Sequence, residues 1–336
     1  MPSHLLIGLG GQSDTDADAA IRSQSLSISI YERYLVSNWP SWNSNPDYVG
    51  VVAQAADSFG AIPMFTLYQM ADWGENNMGA LQDSSFMSDY WSRVRQLFQD
   101  LGSYGKPALV NLEPDFWGYT EQNATNGNPA SIAALVNSNA DCSSLTNDVK
   151  GIAQCLLSMA RRYAPKAYIG FPPSSWGGGS EAAVVTWMNA LGAQNADFIV
   201  EETLDRDAGC FEAGLQPVHC SRDSTGMYWD ETNATHPNFH DHLALVQQDH
   251  VGIGNLPVIW WQTPEGVPSS TPGGTDYHYR DNREHYFLTH PAELTAVGGL
   301  AVVFGNGDSF QTSIVTDGGQ FKTLSSSYLA APATLP

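Results

Sequence analysis

Basic side chains are scarce in this chain: 14 Lys and Arg stand against 35 Asp and Glu over 336 residues, a formal charge of −21. Such a surface repels phosphate backbones and anionic lipid, so nucleic acid and membrane are poor partners. Charge of either sign is sparse too, 15% of residues against roughly 25% in an average soluble domain, while apolar residues reach 42%. That content builds a core and excludes an acidic disordered chain. Long apolar runs are missing: Leu109–Val110 and Pro257–Trp261 fall far short of the roughly 20 residues of a spanning helix. The opening MPSHLLIGLGG has no basic region ahead of its short apolar run, so no signal peptide is predicted from it. Cysteine is limited to four residues, which pair by proximity as Cys142 with Cys155 and Cys210 with Cys220. Two local disulfides, low lysine and abundant Ser, Thr, Asn and Gly point to a secreted protein.

Several catalytic signatures are absent as well. There is no G-x-S-x-G elbow and no cysteine in an electropositive setting, so acyl transfer finds no support. Gly8, Gly10 and Gly11 have the wrong spacing for a dinucleotide loop, and Asp14, Asp16 and Asp18 behind them would repel a pyrophosphate. Those acids suit a helix N-terminus, and no cofactor is expected.

What the chain does have is eight Val-, Ile- and Phe-rich runs bounded by turn residues, the pattern of strands buried on both faces. They are Leu5–Gly11, Leu26–Val36, Ala61–Met70, Pro107–Leu112, Ala167–Phe171, Asp197–Val200, Pro257–Gln262 and Leu300–Gly305. Helical stripes lie between: Phe86 to Leu101, Leu145 to Tyr163, Val184 to Leu191 before Gly192, and Phe239 to Val251 before Gly252. Strand onsets recur about every 42 residues, room for a strand, a loop and a crossover helix. Eight such units predict a single (β/α)8 TIM barrel spanning residues 1–336 as one domain, ahead of a doubly wound open sheet. Long irregular βα loops follow strand four (118–143), strand six (205–238) and strand seven (264–279), at the end where barrels carry their sites.

Strand ends therefore nominate the site. Strand four closes Asn111-Leu112-Glu113-Pro114-Asp115-Phe116-Trp117, where Asn111, Glu113 and Asp115 share a face by alternation. A carboxylate there, against Phe116 and Trp117, is placed to have its pKa raised by desolvation, as a general acid requires. Strand six closes Glu201-Glu202, and one of the two enters the lumen: Glu202 if Phe198 and Val200 face inward, Glu201 if Ile199 does. Two strand-end acids would form the two-carboxylate arrangement of glycoside hydrolysis, with retention or inversion undecided. Strand seven ends Trp260-Trp261-Gln262, groups that stack on sugar faces and bond hydroxyls. Trp39, Trp42, Trp73, Trp117 and Trp176 also lie near proposed strand ends, and Tyr68, Gln69, Asn306 and Asp308 extend the polar-aromatic rim. A carbohydrate-lined cleft is the expectation. His278 ends a long loop and can reach the cleft, while Asp281 can cap the next helix. The segment with His236, His240, Asp241 and His242 lacks an H-E-x-x-H arrangement and reads as a solvated helix start, so no metal is assigned.

These features resemble the barrel-type glycoside hydrolases. Many of those carry an acid/base glutamate in an Asn-Glu-Pro motif at the end of strand four, and Asn111-Leu112-Glu113-Pro114 is similar to it with one residue inserted. The resemblance implies Glu113 as general acid. It also implies a nucleophile at the end of strand seven, where this chain has Gln262 and only later Glu265. The second carboxylate is then Glu201 or Glu202, or Glu265 folded back. The expected protein is a secreted, monomeric glycoside hydrolase acting on a polysaccharide or oligosaccharide. The alternatives are a barrel that binds glycan without cleaving it and, behind it, a metal-dependent hydrolase.

Overall fold

The computed structural model describes residues 2–11, 14–44, 47–203, 208–212, 228–268, 277–306 and 310–336. Eight parallel strands close in sequence order: β1 (Leu6–Leu9), β2 (Ile30–Leu35), β3 (Ile62–Leu67), β4 (Ala108–Leu112), β5 (Ala167–Phe171), β6 (Phe198–Glu202), β7 (Val258–Thr263) and β8 (Gly299–Phe304). Closure is made by β1 on β8, with Leu6 opposite Ala301 and Leu9 opposite Phe304. The chain is a (β/α)8 barrel, as the strand spacing implied.

Around it run α1 (Asp14–Gln24), α2 (Tyr48–Phe59), α3 (Ser84–Tyr104), α4 (Phe116–Asn123), α5 (Val149–Tyr163) and α6 (Glu181–Leu191). Then come α7 (Ala208–Glu212), α8 (Phe239–Gly252), α9 (Arg283–Thr289), α10 (Pro291–Ala296) and α11 (Gln320–Ala330). The stripe from Phe86 to Leu101 lies on α3, which Asp83 caps by accepting from the Ser85 and Phe86 N–H groups. The stripe expected from Leu145 becomes helical only at Val149, because Asp148 takes the Gly151 N–H at 2.7 Å and sets the cap there. Residues 118–123, expected to be irregular, complete α4.

Two apolar layers hold the fold. Alternate strand residues, among them Ile30, Met64, Leu109, Phe198, Val200, Ile259, Ala301 and Val303, fill the lumen. Their neighbours, such as Ile7, Phe65, Val110, Ile169 and Val302, pack outward under the helices. Gly170 is required by this filling: a Cβ there would come within 2.1 Å of the Phe198 ring. Cys142 and Cys155 form a disulfide, the first of the two expected pairs. The second pair falls on Cys220, outside the described residues. Among the described residues no helix is long and apolar enough to cross a membrane.

Candidate functional site at the carboxyl end of the barrel

Apolar side chains fill the lower lumen; polar ones take over toward the carboxyl ends of the strands. Glu32 of β2 follows Ile30 on the inward face and is 1% exposed. Its Oε1 accepts from Thr66 Oγ1 at 2.6 Å and Trp261 Nε1 at 3.4 Å, and its Oε2 from the Gly11 N–H at 3.3 Å. Gly10 makes room for it, since a Cβ would sit 2.3 Å from Oε2. Burial pushes the Glu32 carboxyl up to about 7, against the opposing pull of those donors and of Arg33. Beside Thr66 in the β3–β4 register lies Asn111, wholly buried, with neither amide atom partnered among the described residues.

Above this layer, β6 resolves its two glutamates. Phe198 and Val200 are lumen residues, so Glu202 faces inward and lines a narrow cleft with Asp115, Pro172, Ser174 and Trp261. Trp261 is the register partner of Glu202 and packs at 5.5 Å against Tyr34 with the rings tilted by 51°, so one indole spans from the Glu202 cleft to Glu32. On the other side of that ring, Glu32, Tyr34, Gln262 and Asn306 line a second small cleft. Strict alternation would send Gln262 outward. A register shift between β7 and β8 at Trp260–Thr263, with φ +51° at Gln262, turns its amide in to bond the Tyr34 hydroxyl. Asp115 is also left-handed, at φ +64°. The Tyr68 hydroxyl lies between it and Glu75, 2.9 Å from Asp115 Oδ2. Burial and the two carboxylates hold the Tyr68 phenol well above its ordinary value, so it stays a donor.

Three expected acids have their carboxyls elsewhere. Glu113, at φ +54°, breaks the alternation of β4; its Oε2 accepts the Gln69 and Met70 N–H groups, both at 2.9 Å, just past β3. Fully buried and beside Tyr90 of α3, its carboxyl is pushed up to about 8 by desolvation. Glu201 borders the same cleft as Glu202, but its carboxyl turns out of the barrel toward Asp249 of α8 and Glu181 of α6, and burial among those carboxyls raises it as well. Glu265 is buried near Glu284 of α9 and does not line either cleft.

The aromatic residues divide the same way. Trp117 is buried, donates to the Leu112 carbonyl at 2.8 Å and packs on Phe116 and Phe171, in the core rather than on the rim. Trp260, one residue out of phase with Trp261, is likewise a core ring under the helices and donates to His242 Nε2 at 2.8 Å. Burial and the nearby Arg283 push that histidine down to about 3, which keeps it a neutral acceptor. Trp39 is buried too. Trp42, Trp73 and Trp176 are the exposed ones, Trp176 set edge-on to Tyr119 at 4.8 Å. His278 bonds the Thr316 carbonyl ahead of α11, and Asp281, one residue before the Asn282 N-cap of α9, accepts the Arg283 N–H. His236 pairs with Asp241 and His240 with Glu293, and no metal-binding group of three ligands forms among the described residues. Asp308 lies outside those residues. Glu32, Tyr34 and Ser174 escaped the strand-end reading. The signal for the first two was present in Ile30-Tyr31-Glu32-Arg33-Tyr34, whose odd positions alternate with the even ones carrying Ile30, Glu32 and Tyr34.

No family model and no curated protein matches the sequence. Solved structures share its architecture. A hyperthermophilic endo-β-1,4-glucanase in complex with substrate aligns with a TM-score of 0.53 at 10% identity, over 96% of each chain. D-allulose 3-epimerase from Methylomonas sp. aligns at 0.50 and 10% identity, over 98% of each chain. A ruminal GH26 endo-β-1,4-mannanase gives 0.50 and 10% over 95% of this chain, which spans 63% of the mannanase chain. At such identity the likeness establishes the barrel fold, which this chain shares with two endo-glycanases and a sugar epimerase.

Proposed function

We propose that the chain is a glycoside hydrolase that works as one catalytic domain, secreted, on a polysaccharide or oligosaccharide. The observation that carries this reading is the placement of two carboxylates from different strand ends, Asp115 and Glu202, on one cleft floored by Trp261. Cleaving a glycosidic bond needs one acid to protonate the leaving oxygen and a second carboxylate to attack or to activate water. Asp115 and Glu202 fill those two roles. Trp261 offers a ring for a sugar face, and Gln262, Tyr34 and Asn306 offer hydroxyl partners beside it. Glu32 fixes the indole N–H from below, and Glu113 holds the end of β3 in place through two N–H groups. The structural likeness to endo-glycanases is consistent with this chemistry, although the epimerase shows that the fold also serves other sugar reactions.

The test is reducing-sugar release from a panel of neutral glycans by wild type, Asp115→Asn and Glu202→Gln, each checked for folding by circular dichroism. Each variant is expected to lose about 10²–10⁴-fold in kcat while still binding glycan, the scale of a positioned acid or base. If wild type binds a glycan and cleaves nothing in the panel, the barrel is a recognition module and both assignments fall.

A further inference from the structure

The carboxyl-end face holds more space than the narrow cleft between Asp115 and Glu202. Where β2 and β3 end, Val36, Ser37, Asn38, Tyr68, Asp72 and Arg93 line an open groove of about 610 Å³. This is within the size range of small-molecule sites, roughly 300–1,000 Å³. Asp72 and Arg93 also wall a further pocket of about 220 Å³, whose other side includes Trp73 and Phe86. Tyr68 joins the groove to the cleft, because the hydroxyl that lines one end of it bonds Asp115.

The walls are fixed before any ligand arrives. Asp72 accepts the Ser37 N–H at 2.9 Å and Arg93 Nη1 at 2.7 Å, tying the loops after β2 and β3 to α3. Arg93 Nη1 also donates to the Ser37 carbonyl and to Gln69 Oε1, both at 2.8 Å. All three bonds use one nitrogen, so the Nε and Nη2 hydrogens find no acceptor among the described residues. The guanidinium charge is already matched by Asp72, and Asp89 stands on the same wall, so an anionic ligand gains little there. What remains are N–H donors and amide and hydroxyl groups suited to neutral hydroxyls. Trp73 supplies the apolar complement: it is 47% exposed yet held edge-on against Phe86 at 5.3 Å. A fixed aromatic ring left open to water beside polar donors is the arrangement that binds one face of a pyranose.

We propose that this groove and the adjoining pocket across the Asp72–Arg93 pair together form a sugar subsite for uncharged units of the same glycan chain, running from Asp115 past Tyr68 and Arg93 to Trp73. The proposal rests on the hydrolase reading for the identity of the ligand and adds a direction and a length to the bound chain. The enzyme then grips several units on the β2–β3 side of the scissile bond and prefers long chains.

Binding tests this without requiring turnover. Isothermal titration of Glu202→Gln with cello-, manno- and galacto-oligosaccharides, from disaccharide to hexasaccharide, should show affinity rising with length in at least one series. Adding Trp73→Ala should remove about tenfold of that gain, the scale of one aromatic contact, whereas Trp73→Phe should keep most of it. A length gain that survives Trp73→Ala, or no gain in any of the three series, overturns the subsite. The two readings separate cleanly. A wild type that cleaves nothing while Trp73→Ala still erases the length gain sinks the hydrolase and keeps the subsite; cleavage with a length gain indifferent to Trp73 does the reverse.

Discussion

Glu201 and Glu202 are neighbours in sequence and inhabit opposite sides of the barrel wall. Glu202 faces the lumen, in a cleft with Asp115, Ser174 and Trp261. Glu201 faces the layer between β6 and the helices, where Asp249 and Glu181 are its polar company. Among the described residues no donor reaches either oxygen of Asp249, so a proton shared with Glu201 and Glu181 is the interaction left to it. Inside the lumen, by contrast, the buried Glu32 has a hydroxyl, a backbone N–H and an indole N–H. A raised carboxyl pKa therefore does not by itself mark the site in this protein. Glu113, Glu121 and Glu201 are all raised by burial, as the lumen residue Glu32 is. Facing, not titration, separates the two classes.

The sharpest way to break that comparison is kinetic. Glu202→Gln should reduce kcat about 10³-fold, while Glu201→Gln, on the far side of the strand, should stay within about tenfold of wild type. Initial rates on the best glycan of the panel decide it, with circular dichroism to confirm both folds. Equal losses would mean that the inner and outer faces of β6 are not functionally distinct.

The outer carboxyls should instead govern stability against pH. Their folded pKa values lie above those of an unfolded Asp or Glu, so the folded state binds more protons. Their contribution is fully present below about pH 4 and is lost as pH rises toward and through the folded values. Each such group steepens the fall by up to about 1.4 kcal/mol per pH unit. Thermal midpoints measured from pH 5 to pH 8 should therefore decline in wild type. The decline should flatten in Glu201→Gln, which removes one of the three ionisations without removing the side chain's volume. A wild-type midpoint that rises over this range would contradict the assignment.

How far the sequence discloses all this depends on where the chain keeps its period. The strands are legible because both of their faces are buried and each reads as a continuous apolar run. The facing of Glu202 follows from Phe198 and Val200 by simple alternation. Glu32 was open to the same argument but lies mid-strand, away from the ends where barrel sites are sought. Glu113 and Gln262 are different, because positive φ at each and a bulge in β7 reverse the facing that alternation assigns. No local pattern announces those turns: glutamate and glutamine are not residues that favour the left-handed region. Trp117 and Trp260 show the same limit for aromatics, since nearness to a strand end says nothing about which side of the wall a ring occupies. Asp115 could be placed on the rim from sequence, but its tie to Tyr68 spans 47 positions and needed the fold.

Glu113 offers the finest discrimination between a lumen acid and a structural one. Its carboxyl, raised to about 8, carries a proton at pH 6, and its Oε2 serves the Gln69 and Met70 N–H groups. Glutamine reproduces that neutral shape and keeps a carbonyl oxygen for the same two donors. Glu113→Gln should therefore shift stability at pH 6 by less than about 1 kcal/mol, whereas Glu113→Ala, which strands both donors, should cost about 1–3 kcal/mol. The sign of the Gln effect changes with pH. An unfolded glutamate titrates at about 4.3, so wild type loses stability as pH climbs toward 8, while the amide has no proton to lose. Urea unfolding at pH 6 and pH 8.5 should show Glu113→Gln gaining on wild type at the higher value. Its kcat should stay near that of wild type at pH 6. A loss there as deep as that of Glu202→Gln would return Glu113 to the chemistry and shift the acid/base pair from Asp115 to its neighbour two residues upstream.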